Sequence, residues 1–529
     1  MAGAAVLEAG GNAIDAALTA ALTTTVVGMG APVSLAGVGA LVYYDAETGT
    51  THALDGGWVL PAGEPDVSSI PSDAPSGRAI MVPGFMALVQ AAHDRFGRLP
   101  FAALFEPAIH VAERGFTLTE DLARSIEGSG EVLGRRAATE WIFLGEDGEW
   151  PRPGEVFRQP ELAETLRRLA TDGADYMYRG DWAEALVEAV HEEGGHLTLD
   201  DLSSYQATWS ETAAVEYGTN EIHVPGGDNA GGTALLEAML LLDRAGVRDS
   251  GPVFESAESL YWVSRIGYLL WVADFRQADF EGAFPELSMD LASRRTSERA
   301  DVLWDLLQTP RWDEFVGSDP YSAPASAPPA HTDAIVTVDR WGNAAALIFS
   351  STIVGWGRTG IFVDGVSVPD FGRTASRLAG LRPGDRIPNQ LNPVLVLGDE
   401  GFVAGLSSLG AGIHHASVQT LLNVLDFGMA PVPATTTPQV AHFAWPGAPG
   451  VPEGTPVQTH LVEAGRFPPA LLDSVRAQGQ PVLEIPGSAA YDLLGRVSLI
   501  VADPTEPGVR GIGSTGGLAV PERGSSRKP

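Results

Sequence analysis

Apolar residues recur at helical spacing between Ala13 and Val27, where Ile14, Leu18, Ala21, Leu22 and Val26 share one face, so a helix is expected there. The chain therefore opens inside or just before a helix, which leads us to expect that some N-terminal sequence is missing. Next, Ala40–Tyr44 and Thr51–Leu54 flank Asp45-Ala-Glu-Thr-Gly49 and predict a hairpin with glycine at the turn. From Pro83 to about Ala245 the pattern predicts mainly helices. Examples are Phe101–Glu113 stopped by Gly115, Pro160–Ala170, and Trp182–Val190 stopped by Gly194-Gly195. Ser259–Phe275 is long and mostly apolar, as a core helix would be.

The sharpest change of pattern lies at 318–331, where four prolines stand among small residues. Such a segment fits neither a helix nor a central strand and is expected to be an exposed tether. It stops at Thr332. Asp333–Asp339 then predicts a strand, Arg340-Trp-Gly-Asn343 a turn, and Ala344–Ser350 a second strand. If Asp339 pairs with Ala344, Thr332 falls opposite Ser351, beside Ser350 and Thr352. A tether running into a hairpin reads as a domain linker or as a processing site. A threonine at a strand start is usually only a β-former. A catalytic role needs its weak hydroxyl to be activated, for instance by a free α-amine on the same residue, and that requires a cut between His331 and Thr332.

Composition narrows the chemistry. The chain has 529 residues, a formal charge of −34 and no cysteine, and 32 of its 33 basic residues are arginine. Missing cysteines exclude disulfides, thiolate metal sites and cysteine nucleophiles. Such negative charge argues against a nucleic-acid or anionic-membrane surface, and no apolar run is long enough to predict a membrane span. As it stands the sequence carries no export signal and reads as cytoplasmic; a signal in missing N-terminal sequence would permit export. His414-His415 and His191/His196 do not share a metal-binding face, so no metal or cofactor is expected. Gly405–Gly410 misses the nucleophile-elbow pattern, and Asp228–Gly232 lacks the lysine of a phosphate loop.

Several segments in the same order resemble the γ-glutamyltransferase family of N-terminal-nucleophile hydrolases. They are Gly10-Gly-Asn-Ala-Ile-Asp-Ala-Ala17, Val82-Pro-Gly-Phe85, Ala92–Pro100, Glu106–Phe116, Arg158-Gln-Pro160, Gly173–Gly180 and Leu197–Leu202. Thr332 with Val338-Asp339 and Gly342-Asn343, and then Asn423–Met429, continue the match. The resemblance implies an α+β fold, an αββα sandwich formed jointly by two subunits of one precursor. It places residues 1–331 in a large subunit and 332–529 in a small one that begins at the nucleophile, with the two staying associated after self-cleavage. Thr332 would attack an amide carbonyl and pass the acyl group to water or an amine. Ser350 stands where the family has a second threonine that bonds the nucleophile. Backbone N–H groups of Gly410 with Ala411 or Leu409 would form the oxyanion hole.

The substrate positions depart from the family pattern. Gly57 replaces the arginine that would grip an α-carboxylate, Asn389-Gln390 replaces a Ser-Ser pair, and Thr352 replaces an asparagine. Asp370 keeps an acidic position suited to an α-amino group. Expected substrates are therefore small-molecule amides, γ-glutamyl-like or with another acyl group. The alternatives are a catalytically silent relative that acts by binding, and an ordinary γ-glutamyl (glutathione) hydrolase whose missing arginine is supplied elsewhere, for instance by Arg358.

Overall fold

The computed structural model describes residues 1–72, 74–145, 148–318, 332–352, 355–371, 377–378, 380–442, 448–502 and 509–512. Apart from Ser318, the tether at 318–331 lies outside them, as does His331. The chain divides into two compact units. One comprises Met1–Leu41, Leu54–Trp209 and Ala330–Asn389; the other comprises Val42–Ala53, Ser210–Pro329 and Gln390–Pro529.

The first unit is built on a sheet whose strands run in the order Thr208–Ser210, Thr50–Gly56, Val38–Asp45, Ala344–Ser350, Thr332–Val338, with the tip of the second and third strands grouped with the other unit. Helix Ala13–Val27 packs on the last two strands. It starts where expected because Asn12 and Asp15 form a reciprocal capping box. The buried Asp15 also accepts from the backbone N–H groups of Arg98 and Leu99 at 3.1 Å, so one carboxylate fastens the helix start to a distant loop. A short helix, Ala2–Glu8, precedes it. The helices predicted at Phe101, Pro160 and Trp182 are present, the first entered through a 3₁₀ turn, Phe101–Phe105.

The second unit carries a sheet in the order Val509–Ile512, Arg496–Ala502, Gly401–Leu409, Val394–Gly398, Asn220–Pro225, Thr212–Tyr217. Its last two strands interrupt the stretch up to Ala245, which is otherwise mainly helical as expected. Ala213, Val215 and Tyr217 are buried while Ala214 and Glu216 are exposed, the alternation of a one-sided strand. Gly218 at φ +62° opens the two-residue turn between Tyr217 and Asn220. Helices Ala230–Arg244 and Ile413–Leu425 pack on this sheet, and Ala257–Phe275 packs on both helices. Leu235, Met239, Ile266, Leu421, Val394 and Leu406 belong to the resulting core.

This core holds three buried histidines, His415, His442 and His460. The His442 ring lies 4.9 Å from Tyr268 and 5.1 Å from His460, edge to face. Neither of its ring nitrogens has a hydrogen-bond partner among the described residues. Burial holds all three imidazoles below the usual histidine range, His415 at about 3 and His460 at about 4. Each stays neutral in the folded chain yet takes a proton near pH 6.5 once unfolded, so folding loses free energy as pH falls below that value. The slope is about 1.4 kcal/mol per pH unit for each such imidazole. Urea unfolding followed from pH 7 to 4.5 should show stability declining, and His442→Phe should flatten the decline by roughly that amount. An unchanged slope in the variant would remove His442 from the account.

Candidate active site

The hairpin that carries Thr332 differs in register by one residue from the sequence expectation. Val338, not Asp339, pairs with Ala344, and Thr332 therefore faces Ser350 rather than Ser351. Asp339 sets that register: its own N–H donates to the Asn343 carbonyl at 3.0 Å, the next step of the same ladder. Its carboxylate accepts from the N–H groups of Trp341 at 2.8 Å and Asn343 at 3.1 Å, and from the Asn343 carboxamide at 2.8 Å. It also accepts from the Ala13 N–H at 3.0 Å, while the Thr337 hydroxyl donates to the Ala13 carbonyl at 2.7 Å. The turn is thus tied to the start of the helix beneath it.

Thr332 is the first residue of its strand and is buried. Its Oγ1 donates to Ser350 Oγ at 3.1 Å. Ser350 Oγ also accepts from the Thr352 N–H at 2.8 Å. That second bond depends on an uncommon backbone, since Thr352 has φ +54°, a left-handed conformation that a β-branched residue resists. The Thr352 hydroxyl in turn accepts from the Trp58 indole N–H at 3.3 Å. Thr332, Ser350, Thr352 and Trp58 form one chain of contacts. The buried Ser351 hydroxyl, by contrast, has no partner among the described residues. Gly37 makes room for the strand end: a Cβ there would lie 2.6 Å from the Ser350 carbonyl oxygen and 2.9 Å from that of Ser34.

The positions expected to recognise substrate are differently engaged. A Cβ on Gly57 would point at Asp55, 3.1 Å from Oδ2, and toward the Asn389 carboxamide at 3.6 Å. Asn389 spends its amide nitrogen on Asp55 Oδ1 at 2.5 Å and on the Gly39 carbonyl at 3.2 Å. Burial pushes the Asp55 carboxyl up, against the pull of Asn389 and Arg386. Arg386 meets Asp55 Oδ2 at 3.2 Å, the Tyr205 hydroxyl at 3.1 Å and the Gln206 carbonyl at 2.7 Å. Tyr205 donates to the Gly57 carbonyl at 2.6 Å. The buried Asp370 Oδ2 accepts the backbone N–H groups of Arg358 at 2.5 Å and Thr359 at 3.2 Å, which shapes the loop there. The Arg358 guanidinium donates to the Ser72 carbonyl.

Gln390, Gly410 and Ala411 fall in the second unit. The Gln390 carbonyl oxygen occupies the space a Cβ on Gly231 would need, at 2.0 Å. Gly410, at φ +97°, and Ala411 form the turn between strand Gly401–Leu409 and helix Ile413–Leu425, whose N-cap is Gly412. Their N–H groups stand at a helix N-terminus, where the local field favours negative charge. His414 Nδ1 lies 3.1 Å from the Asn392 carboxamide, and His191 Nε2 lies 2.8 Å from the Leu197 carbonyl. Among the described residues no group of three His, Asp or Glu could hold a metal ion, and no helix is long and apolar enough to cross a membrane.

The Gamma-glutamyltranspeptidase family pattern matches residues 1–515. The chain belongs to that family. The glutathione hydrolase proenzyme of Bacillus subtilis (strain 168) is 28% identical over 470 residues, covering 83% of this chain and 78% of the relative. The protein of the same name from Escherichia coli (strain K12) is 25% identical over 546 residues, covering 95% and 86%. Among solved structures, a cephalosporin acylase from Bacillus halodurans superposes with TM-score 0.76 at 22% identity, covering 97% of this chain and 91% of the acylase. That likeness shows a shared α+β fold. As a member of the gamma-glutamyltranspeptidase family, this protein is of a hydrolase and acyltransferase lineage.

Sequence reasoning missed Asp55, Trp58, Tyr205 and Arg386. A signal existed for two of them, because Trp58 directly follows Gly57, and Arg386 lies three residues before Asn389. Gly37 gives a direct test of how closely the Ser350 strand is seated. Gly37→Ala should destabilise the fold by about 1–3 kcal/mol, since the crowding atoms are backbone and cannot swing away. Gly128→Ala, with open space around its Cβ, is the control. Thermal unfolding of both variants checks this, and equal midpoints would mean that the strand yields.

Proposed function

We propose that the protein is a self-processing amidohydrolase and acyltransferase whose nucleophile is Thr332, with an acyl specificity that departs from γ-glutamyl. The contact of Thr332 Oγ1 with Ser350 Oγ, in a chain of this family, is the observation that carries the reading. Thr332 Oγ1 attacks the preceding carbonyl, the acyl group shifts from nitrogen to oxygen, and water releases it to leave a free α-amine. In turnover that amine takes the hydroxyl proton as Oγ1 attacks a substrate amide. The family resemblance assigns the oxyanion to backbone N–H groups at Gly410 and Ala411. The leaving amine departs with the proton, and water or a second amine then takes the acyl group from the ester. Ser350, a hydroxyl that can both accept and donate, holds Oγ1 through both steps.

Two observations support a changed acyl preference. Gly57 offers no side chain to a carboxylate, and the Arg358 guanidinium is engaged by Ser72. Favouring the conventional γ-glutamyl reading, the Bacillus subtilis and Escherichia coli relatives are both glutathione hydrolase proenzymes.

Scaled from 55.5 kDa, a cut before Thr332 yields pieces of about 35 and 21 kDa. Intact mass and N-terminal sequencing of purified protein should find both, the smaller beginning at Thr332, and Thr332→Ala should remain one chain. Ser350→Ala should slow cutting and turnover by on the order of tenfold or more. An inert, uncut wild type would instead point to a silent binding protein. Given a panel of anilides, the enzyme should turn over neutral acyl groups faster than γ-glutamyl; the reverse order restores the conventional reading.

A further inference from the structure

Ser350 Oγ accepts two hydrogen bonds, from Thr332 and from the Thr352 N–H, so the hydroxyl that meets Thr332 is located by the backbone at Thr352. That backbone is strained. A threonine at φ +54° is disfavoured and persists only where its surroundings hold it. Two contacts do so. The Ser351 N–H donates to the Pro32 carbonyl at 3.0 Å and fixes the chain entering Thr352, while the Trp58 indole N–H grips the Thr352 hydroxyl.

Trp58 is itself rigidly seated. It is 5% exposed, its carbonyl accepts from the Ile387 N–H at 2.9 Å, and the carbonyl of Gly57 before it is held by Tyr205. The next residue, Val59, pairs with Val82 across an isolated bridge. An indole N–H so placed has one donor and little freedom, and an unpaired buried donor is costly. It acts as a fixed stop for the Thr352 side chain.

We infer that Trp58 is a positioning residue for the nucleophile: its indole N–H keeps Thr352 left-handed, the Thr352 amide then locates Ser350, and Ser350 orients the Thr332 hydroxyl. This rests on the reading of Thr332 as the nucleophile. Trp58 touches neither Thr332 nor Ser350 in this scheme and takes no proton.

Trp58→Phe keeps the ring and deletes the N–H. Self-cleavage and kcat should fall by about tenfold, with KM changed less than twofold. Glycine adopts φ +54° without penalty, so adding Thr352→Gly to Trp58→Phe should recover part of the lost kcat. A tryptophan that merely filled space would show no such rescue. Thr352→Val, at a half-buried site, deletes the same hydrogen bond and stands in where Trp58→Phe folds poorly; a tenfold loss of kcat is again expected. A Trp58→Phe enzyme with wild-type kcat, a change in KM alone, or a double variant no better than the single one overturns the inference. Each of those results leaves Thr332 as nucleophile intact, whereas an uncut and inactive wild type overturns that reading and this one together.

Discussion

One pairing decides the geometry of the site: Val338 opposite Ala344. Because side chains alternate along a strand, a one-residue slip would present a different hydroxyl to Thr332. The slip is prevented at the far end of the hairpin, where Asp339 gathers donors from its own turn and from Ala13. An exposed turn would leave such a register soft. Here a carboxylate that is 8% exposed links turn and helix, so both ends of the hairpin are set by one residue at its bend.

Around Thr332 the chain uses polar contacts that are individually modest but arranged in series. Hydroxyl meets hydroxyl, hydroxyl meets amide, and the amide is presented by a strained residue that an indole holds in place. The charges nearby are arranged in local sets. Arg386 and Asn389 face Asp55, and Asp370 takes backbone donors. Such pairing leaves these charges engaged with fixed partners.

Much of the fold was legible from periodicity. Helix Ala13–Val27 and the hairpin from Thr332 to Ser350 follow from apolar spacing and turn residues, and Thr332 itself was marked by the abrupt end of a Pro-rich segment. The register escaped because Asp339 reads equally well as the last strand residue or the first turn residue, and only its side-chain bonds decide. The strands Thr212–Tyr217 and Asn220–Pro225 escaped because they are short and sit among helices, although Gly218-Thr219 marked their turn. Trp58 and Tyr205 escaped for a different reason. Their roles depend on partners 294 and 148 residues away in sequence, which no local pattern encodes.

The strand orders carry a consequence for a protein nicked before Thr332. In the first sheet, Thr208–Ser210, Thr50–Gly56 and Val38–Asp45 come from one side of the nick and Ala344–Ser350 with Thr332–Val338 from the other. In the second, Asn220–Pro225 and Thr212–Tyr217 lie upstream and the remaining four strands downstream. Neither sheet has a single parent. The fragments could part only by tearing a ladder in each sheet and baring both faces to water at once. Neither fragment retains either of these two large sheets whole, so heat or denaturant would inactivate the nicked enzyme irreversibly. Its durability would be a rate rather than an equilibrium.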